Sequence, residues 1–314
     1  MSVDVIDMSP WAGREDAEPD SLRWHQCIRP LADDSPAGVA LLGFASDAGV
    51  ARNQGRIGAA AGPRAMRKAL ANLAWHRQEP AYDAGDVHCH GDALENAQEH
   101  LGQRLERLFD SGHFPIVLGG GHEVAYGSWL GLARHLGNPE PPSRVGIVNF
   151  DAHLDLRDPR RGASSGTPFA QIAQQCEGRG WPFHYACLGV SRASNTRALF
   201  RQAAELDVLV REDHEISAAT LDAIVRDVER FIVHCDHLYL TIDLDVLPAG
   251  EAPGVSAPAA HGVSLALLEP LIRVIRDSGK LRVADLAELN PSFDIDGRTA
   301  KAAARLIHHL TLKA

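Results

Sequence analysis

No apolar run in this chain reaches the roughly 18–20 residues that a membrane-spanning helix requires, so no transmembrane segment is expected. Cysteine is scarce: five in 314 residues, at Cys27, Cys89, Cys176, Cys187 and Cys235, scattered and with no CxxC pair. An odd, low count excludes a disulfide framework and suits reduced thiols in a cytoplasmic protein. Positive charge is in deficit, with 31 Lys and Arg against 41 Asp and Glu and a formal net charge of -10. Without a dense basic block, neither nucleic acid nor an anionic membrane surface is an expected partner. Residues 1–10 carry acids and no apolar core, so no secretory signal is expected. Neither GxGxxG nor GxxxxGK[ST] occurs, which removes the common phosphate loops.

What is present is a chain with 45% apolar residues, enough for a packed core. Residues 1–37 are polar and broken by prolines, and they are expected to form an extension lying over a single domain at 38–314. Short apolar runs at Gly38–Ala45, Ala81–Val87, Pro115–Gly119, Arg144–Phe150, His184–Val190, Leu206–Val210, His237–Asp243 and Leu281–Glu288 are bounded by Gly, Pro, Asp or Asn. Stretches with helical spacing separate most of them, including Leu94–Asp110, His122–Leu136, Leu221–Val233 and Leu265–Asp277. Alternating β and α elements predict an α/β fold whose parallel sheet has helices on both faces. The near-continuous apolar character of the runs fits strands buried on both sides.

Ligands of such sheets gather at the carboxyl ends of the strands, and three strand ends stand out. Ile116–Leu118 is followed by Gly119–Gly120–Gly121–His122, where the glycines permit a tight turn and a close backbone approach. The strand ending at Phe150 is followed by Asp151, His153 and Asp155; in an extended segment, side chains two apart share a side. The strand ending at Ile242 is followed by Asp243 and Asp245. Each segment alone could be a solvated turn. Together they offer four carboxylates and two imidazoles, a group too costly to bury without cations. Two divalent ions balance four aspartates, and the oxygen-rich set favours manganese over zinc.

These segments resemble the GGGH, DAHxD and DxD motifs of the ureohydrolase (arginase/agmatinase) family, in order and spacing, from about Gly38 to the C-terminus. The resemblance implies a three-layer α/β/α fold with an eight-stranded, mostly parallel sheet. It also implies two Mn(2+) ions per subunit. One would take His122, Asp151, Asp155 and Asp243, and the other His153, Asp151, Asp243 and Asp245. In Asp285–Leu286–Ala287–Glu288–Leu289–Asn290–Pro291, Glu288 matches the glutamate that faces the substrate.

Other segments resemble the formimidoylglutamase branch of the family: Trp11–Asp16, Leu22–Gln26, Asn53–Ala60, Ala71–Leu73 and Ser191–Thr196. That branch implies a small-molecule substrate, N-formimidoyl-L-glutamate, cleaved to L-glutamate and formamide by a metal-bridging hydroxide during histidine degradation. It allows a homo-oligomer. Asp155 and Glu288 are the expected catalytic pair, Asp155 passing a proton to the leaving amine and Glu288 pairing with the amidinium. Two substrate carboxylates call for cationic donors, and the candidates are Arg157, Arg161 and Arg192, with Asn195 in the loop of Arg192. Guanidino-hydrolysing relatives place a histidine near the segment that here reads Ser164–Phe169. No histidine lies between His153 and His184. Agmatinase, guanidinobutyrase or arginase activity, or a non-catalytic ligand-binding role, are the competing expectations.

Overall fold

The computed structural model describes residues 6–312. Residues 1–5 of the expected extension, which belong to the stretch read for a secretory signal, and residues 313–314 of the expected domain, lie outside the described residues. One nine-stranded sheet organises the chain: β1 Arg29–Pro30, β2 Val39–Ala45, β3 Ala81–His88, β4 Phe114–Leu118, β5 Val145–Phe150, β6 His184–Val190, β7 Leu209–Glu212, β8 His237–Asp243 and β9 Leu281–Ala287. Their order is β1-β3-β2-β4-β9-β8-β5-β6-β7, and every pairing is parallel. Eight of these strands are the expected ones. The ninth, β1, is two exposed residues of the N-terminal segment laid along Tyr82 and Asp83 of β3.

The helices are α1 Trp24–Cys27, α2 Ala48–Arg52, α3 Gly62–Ala71, α4 Leu94–Asp110, α5 Val124–Leu136, α6 Pro168–Arg179, α7 Arg197–Glu205, α8 Leu221–Val233, α9 Leu265–Asp277 and α10 Arg298–Thr311. Amphipathic spacing decides which face each one covers. In α4, Leu94, Ala97, Leu101, Leu105 and Leu108 fall on one buried stripe, and in α8 Ile224, Val228 and Ile232 do the same. One apolar core lies under α4, α5, α6 and α7, and the other under α3, α8, α9 and α10. The result is three layers. Pro168 opens α6, and Gly180, in the left-handed region at φ 68°, closes it. No helix among the described residues is long and apolar enough to cross a membrane.

The N-terminal segment is anchored in this core. Trp24 is fully buried, and its ring meets Trp75 edge-on at 5.0 Å. The Trp11 indole N–H donates to Asp83 Oδ2 at 2.6 Å. Four strands occupy the middle of the sheet in the order β4-β9-β8-β5, and their C-terminal ends face one cavity. The register sets Phe150 beside Ile242, so the first residues past β5 and at the end of β8 emerge side by side.

Candidate metal centre

Close packing, more than turn geometry, explains the three glycines after β4. A Cβ on Gly119 would sit 2.5 Å from the Leu286 carbonyl oxygen, one on Gly120 would run into the Ser46 carbonyl, and one on Gly121 into the Glu123 carboxylate. The turn is wedged between the ends of β2 and β9, with Gly119 N–H donating to Leu286 O at 2.7 Å and Gly121 N–H to Ser46 O at 2.9 Å. This flat passage delivers His122 as a buried side chain. Its Nε2 lies 3.0 Å from Thr241 Oγ1 in β8. A proton on Nε2 directs the Nδ1 lone pair the other way.

That nitrogen faces three carboxylates. Nδ1 of His122 is 3.1 Å from Asp151 Oδ2, 3.0 Å from Asp155 Oδ2 and 3.2 Å from Asp243 Oδ2. No N–H of the ring is aligned on any of the three oxygens, and Nδ1 is a buried nitrogen without a hydrogen-bond partner. Four donor atoms therefore converge with no proton to hold them together. A second group lies beside the first: His153 Nδ1 is 3.0 Å from Asp245 Oδ2 and 3.5 Å from Asp151 Oδ1. Asp151 belongs to both groups, whereas Asp243 is grouped with the first alone. The Oδ1 of Asp243 accepts the Asp245 N–H at 2.8 Å, and Asp151 Oδ1 accepts the His153 N–H at 2.6 Å. Asn149 Nδ2 donates to Asp151 Oδ2 at 2.9 Å, fixing that carboxylate from within β5. Asp155 has φ 46° and Glu288 φ 69°, left-handed values that non-glycine residues adopt rarely and that recur at functional sites.

The electrostatics favour added cations. Among the described residues no lysine or arginine forms an ion pair with any of the four aspartates. Burial, then the charges of Asp245 and Asp151, push the Asp243 carboxyl well above its usual range. Burial opposes protonation of His122, but the closeness of the Asp151, Asp155 and Asp243 carboxylates outweighs it and holds the imidazole well above its ordinary value. His153 is held high chiefly by the charge of Asp245. Without metal, the cluster must bind protons to be buried; divalent cations would replace those protons. The donor set, six side chains with oxygen predominating, fits two such ions.

Behind the cluster lies Glu288. Its Oε1 accepts the His122 N–H at 2.9 Å, and its Oε2 is buried without a partner. Burial and the nearby charge of Glu123 push the Glu288 carboxyl up to about 8. Glu123, which the sequence reading passed over, is itself fully buried. It accepts from Ser46 Oγ and from Gly49 N–H, both at 2.9 Å, tying the His122 turn to the loop that opens α2.

The arginase family profile matches residues 37–313. The chain belongs to the arginase family. A formimidoylglutamase of Aeromonas hydrophila is 58% identical over 309 residues, covering 97% of this chain and 98% of that protein. Another, from Ralstonia nicotianae, is 56% identical over 307 residues, covering 96% of this chain and 94% of that one. A crystal structure of Trypanosoma cruzi formiminoglutamase with manganese aligns at TM-score 0.78 and 26% identity, covering 88% of this chain and 93% of that one.

In this arginase-family chain the metal cluster floors a cavity of about 310 Å³. Of the expected substrate residues, Arg157, Asn195 and Glu288 line it. Arg161 lines an adjoining cavity of about 910 Å³ that Arg157 borders too. Arg192 stands outside both cavities, paired with Glu212 through Nε at 2.8 Å and through Nη2, its guanidinium 4.8 Å from the Phe200 ring centre. Asn195 is a brace: its Oδ1 accepts the Leu154 N–H at 3.0 Å while its Nδ2 donates to the Ala152 and Ser191 carbonyls, both at 2.9 Å. Phe169 stands in the segment where a histidine was missing, its ring edge-on to His122 at 5.5 Å and stacked on Tyr185 at 4.4 Å. Phe169 itself is fully buried behind the cavity wall, and from this segment Ser165 lines the cavity.

Proposed function

We propose that the chain is a binuclear manganese hydrolase that converts N-formimidoyl-L-glutamate and water to L-glutamate and formamide, a step of histidine degradation. The observation that carries the metal chemistry is the convergence of His122 Nδ1 with three carboxylate oxygens, beside the His153 group that shares Asp151. The substrate reading is supported by identities of 56–58% to formimidoylglutamases across nearly the whole chain. Five unpaired cysteines suit the cytoplasm. A homo-oligomer is part of the same reading.

His122, Asp151, Asp155 and Asp243 would hold one cation, and His153, Asp151, Asp243 and Asp245 the other. When bound, such a pair lowers the pKa of a water and acts as a Lewis acid. The residues of the chain supply the rest. Oε2 of Glu288, buried and unpartnered, is set to receive an amidinium N–H and its charge. That pairing orients the formimidoyl carbon for addition of water oxygen. Asp155 would take the proton released as the water oxygen adds to that carbon and pass it to the α-nitrogen as the bond from that nitrogen to the carbon breaks. Its carboxylate lies 3.0 Å from His122 Nδ1 and lines the cavity, which places it at the reacting groups.

The test is a substrate panel with the manganese-loaded chain: N-formimidoyl-L-glutamate, agmatine, 4-guanidinobutyrate and L-arginine, scored separately for formamide and urea. Formamide from the first compound is the expected result. Urea from a guanidino compound, with no formamide, would assign the chain to a different activity. Absence of any turnover with two metals bound would make it a non-catalytic binder.

A further inference from the structure

The wall of the main cavity contains a second arginine, Arg56, from the loop that follows α2. Its Nε–H donates to the Ser256 carbonyl oxygen at 2.9 Å, and Nη2 donates to the Val255 carbonyl. Its guanidinium lies 4.1 Å from the centre of the Phe293 ring. The backbone is pinned as well. Arg56 N–H donates to Ser256 Oγ at 2.8 Å, and Asn290 Nδ2 donates to the Arg56 and Ile57 carbonyls, both at 3.0 Å.

All the acceptors of this guanidinium are neutral. They fix its orientation and leave its charge uncancelled, with three of its five N–H groups still available. Other well-packed arginines contrast with it: Arg67 pairs with Asp83 and Asp86, Arg52 with Asp92 and Glu95, and Arg211 with Asp227. Among the described residues, no carboxylate lies within ion-pair distance of Arg56. Arg157, the other arginine on this cavity, is likewise without an ion pair among the described residues. A half-buried, pre-oriented and unneutralised arginine beside a metal centre is built to receive an anion that arrives with the substrate.

Resting on the proposed substrate, the two cations can be divided. The α-carboxylate sits on the carbon that bears the leaving nitrogen. With Asp155 at that nitrogen, the α-carboxylate is assigned to Arg157, which lines the same cavity and has no ion pair among the described residues. The γ-carboxylate carbon lies three bonds from the α-carbon, two farther than the α-carboxylate carbon, and needs a cation from another segment. We propose that Arg56 receives the γ-carboxylate and sets the preference for a glutamyl over an uncharged side chain.

The test compares the manganese-loaded wild-type chain with Arg56→Gln and Arg56→Lys. N-formimidoyl-L-glutamate is set against N-formimidoyl-L-norvaline, which keeps the chain length and lacks the γ-carboxylate. The kcat/KM ratio of the two substrates should fall by about tenfold to a hundredfold in Arg56→Gln, the value of one charged hydrogen-bonded contact. Arg56→Lys should recover part of it, and the loss should appear in KM. Calorimetric binding of L-glutamate against L-norvaline gives a readout independent of turnover, and the ratio of the L-glutamate Kd to the L-norvaline Kd should rise by a similar factor in Arg56→Gln. A metal-loaded Arg56→Gln chain with wild-type ratios would overturn the proposal. Equal losses on both substrates would also overturn it, by making the role structural. If Arg56→Gln does not fold, Arg56→Lys decides by the same ratios. If the wild-type chain releases no formamide, the proposed substrate fails, while the binding ratio still decides whether Arg56 reads a side-chain carboxylate.

Discussion

Asp83 and Asp86 in β3 and the aspartates beyond β5 and β8 are both carboxylate clusters within one sheet, yet they are neutralised in opposite ways. In β3 the chain brings its own cation. Arg67 from α3 binds Asp83 through Nε at 2.7 Å and through Nη2 at 3.0 Å, and Asp86 through Nη1 at 2.6 Å, while the Trp11 N–H completes Asp83. Every strong donor there is covalently part of the protein. At the ends of β5 and β8, two histidines face four aspartates and no arginine enters. The first cluster is a structural bond between the N-terminal segment, α3 and β3. The second is a socket, incomplete as a polypeptide and completed from solution.

Three variants or conditions sharpen the contrast. Asp243→Ala should have the largest effect on function: turnover should drop by on the order of 10³-fold or more if, as proposed, this carboxylate helps hold the metals that supply the chemistry. Metal analysis by mass spectrometry should find fewer than two manganese ions per chain; two ions with normal turnover would break the assignment.

Arg67→Met should do the converse. Removing one partner of a buried pair typically costs about 3–5 kcal/mol, so chemical denaturation should show a loss of that order while two metals still bind. A loss of metal with unchanged stability would erase the distinction between the two clusters.

Chelation gives the third and smallest expected effect. The folded His122 and His153 values stand well above the usual 6.5, so their stabilising contribution is complete below about that pH and is lost as pH rises through the folded values. Asp243, also raised, opposes folding as it ionises, in the same direction. Metal binding instead strengthens as these groups lose protons. The melting-temperature gap between metal-loaded and chelated protein should therefore widen from pH 6.5 upward. A gap that narrows would mean the cluster does not couple folding to metal.

Much of this was legible in the residues. Eight strands and most long helices followed from apolar runs closed by Gly, Pro, Asp or Asn, because burial on both faces leaves little freedom in composition. The ninth strand was not legible, since Arg29–Pro30 is two exposed residues whose pairing depends on where the extension is anchored. Helix α7 was also missed; only Leu199 and Ala203 of its nine residues are buried, too faint a stripe to stand out. The six ligand candidates were readable because they follow strands directly. Of the anion-binding candidates, Arg157 was readable and lines the cavity, whereas the pairing of Arg192 and the place of Arg56 were not. Arg192 carries the right charge but meets Glu212, a strand away, and Arg56 is shaped by Val255, Ser256 and Phe293, about 200 residues distant in sequence. Pairing of charges is a property of tertiary neighbours, which a single sequence does not print.

The side-by-side register of β5 and β8 has a last consequence. Asp151 and Asp243 stand at matching heights on adjacent strands, whose separation in any sheet is about 4.8 Å. The spacing of any two cations held between these carboxylates would thus be inherited from main-chain pairing, not tuned by side-chain choice. A hydrolase assembled this way can exchange its rim freely to suit new substrates while the spacing at its floor stays constant.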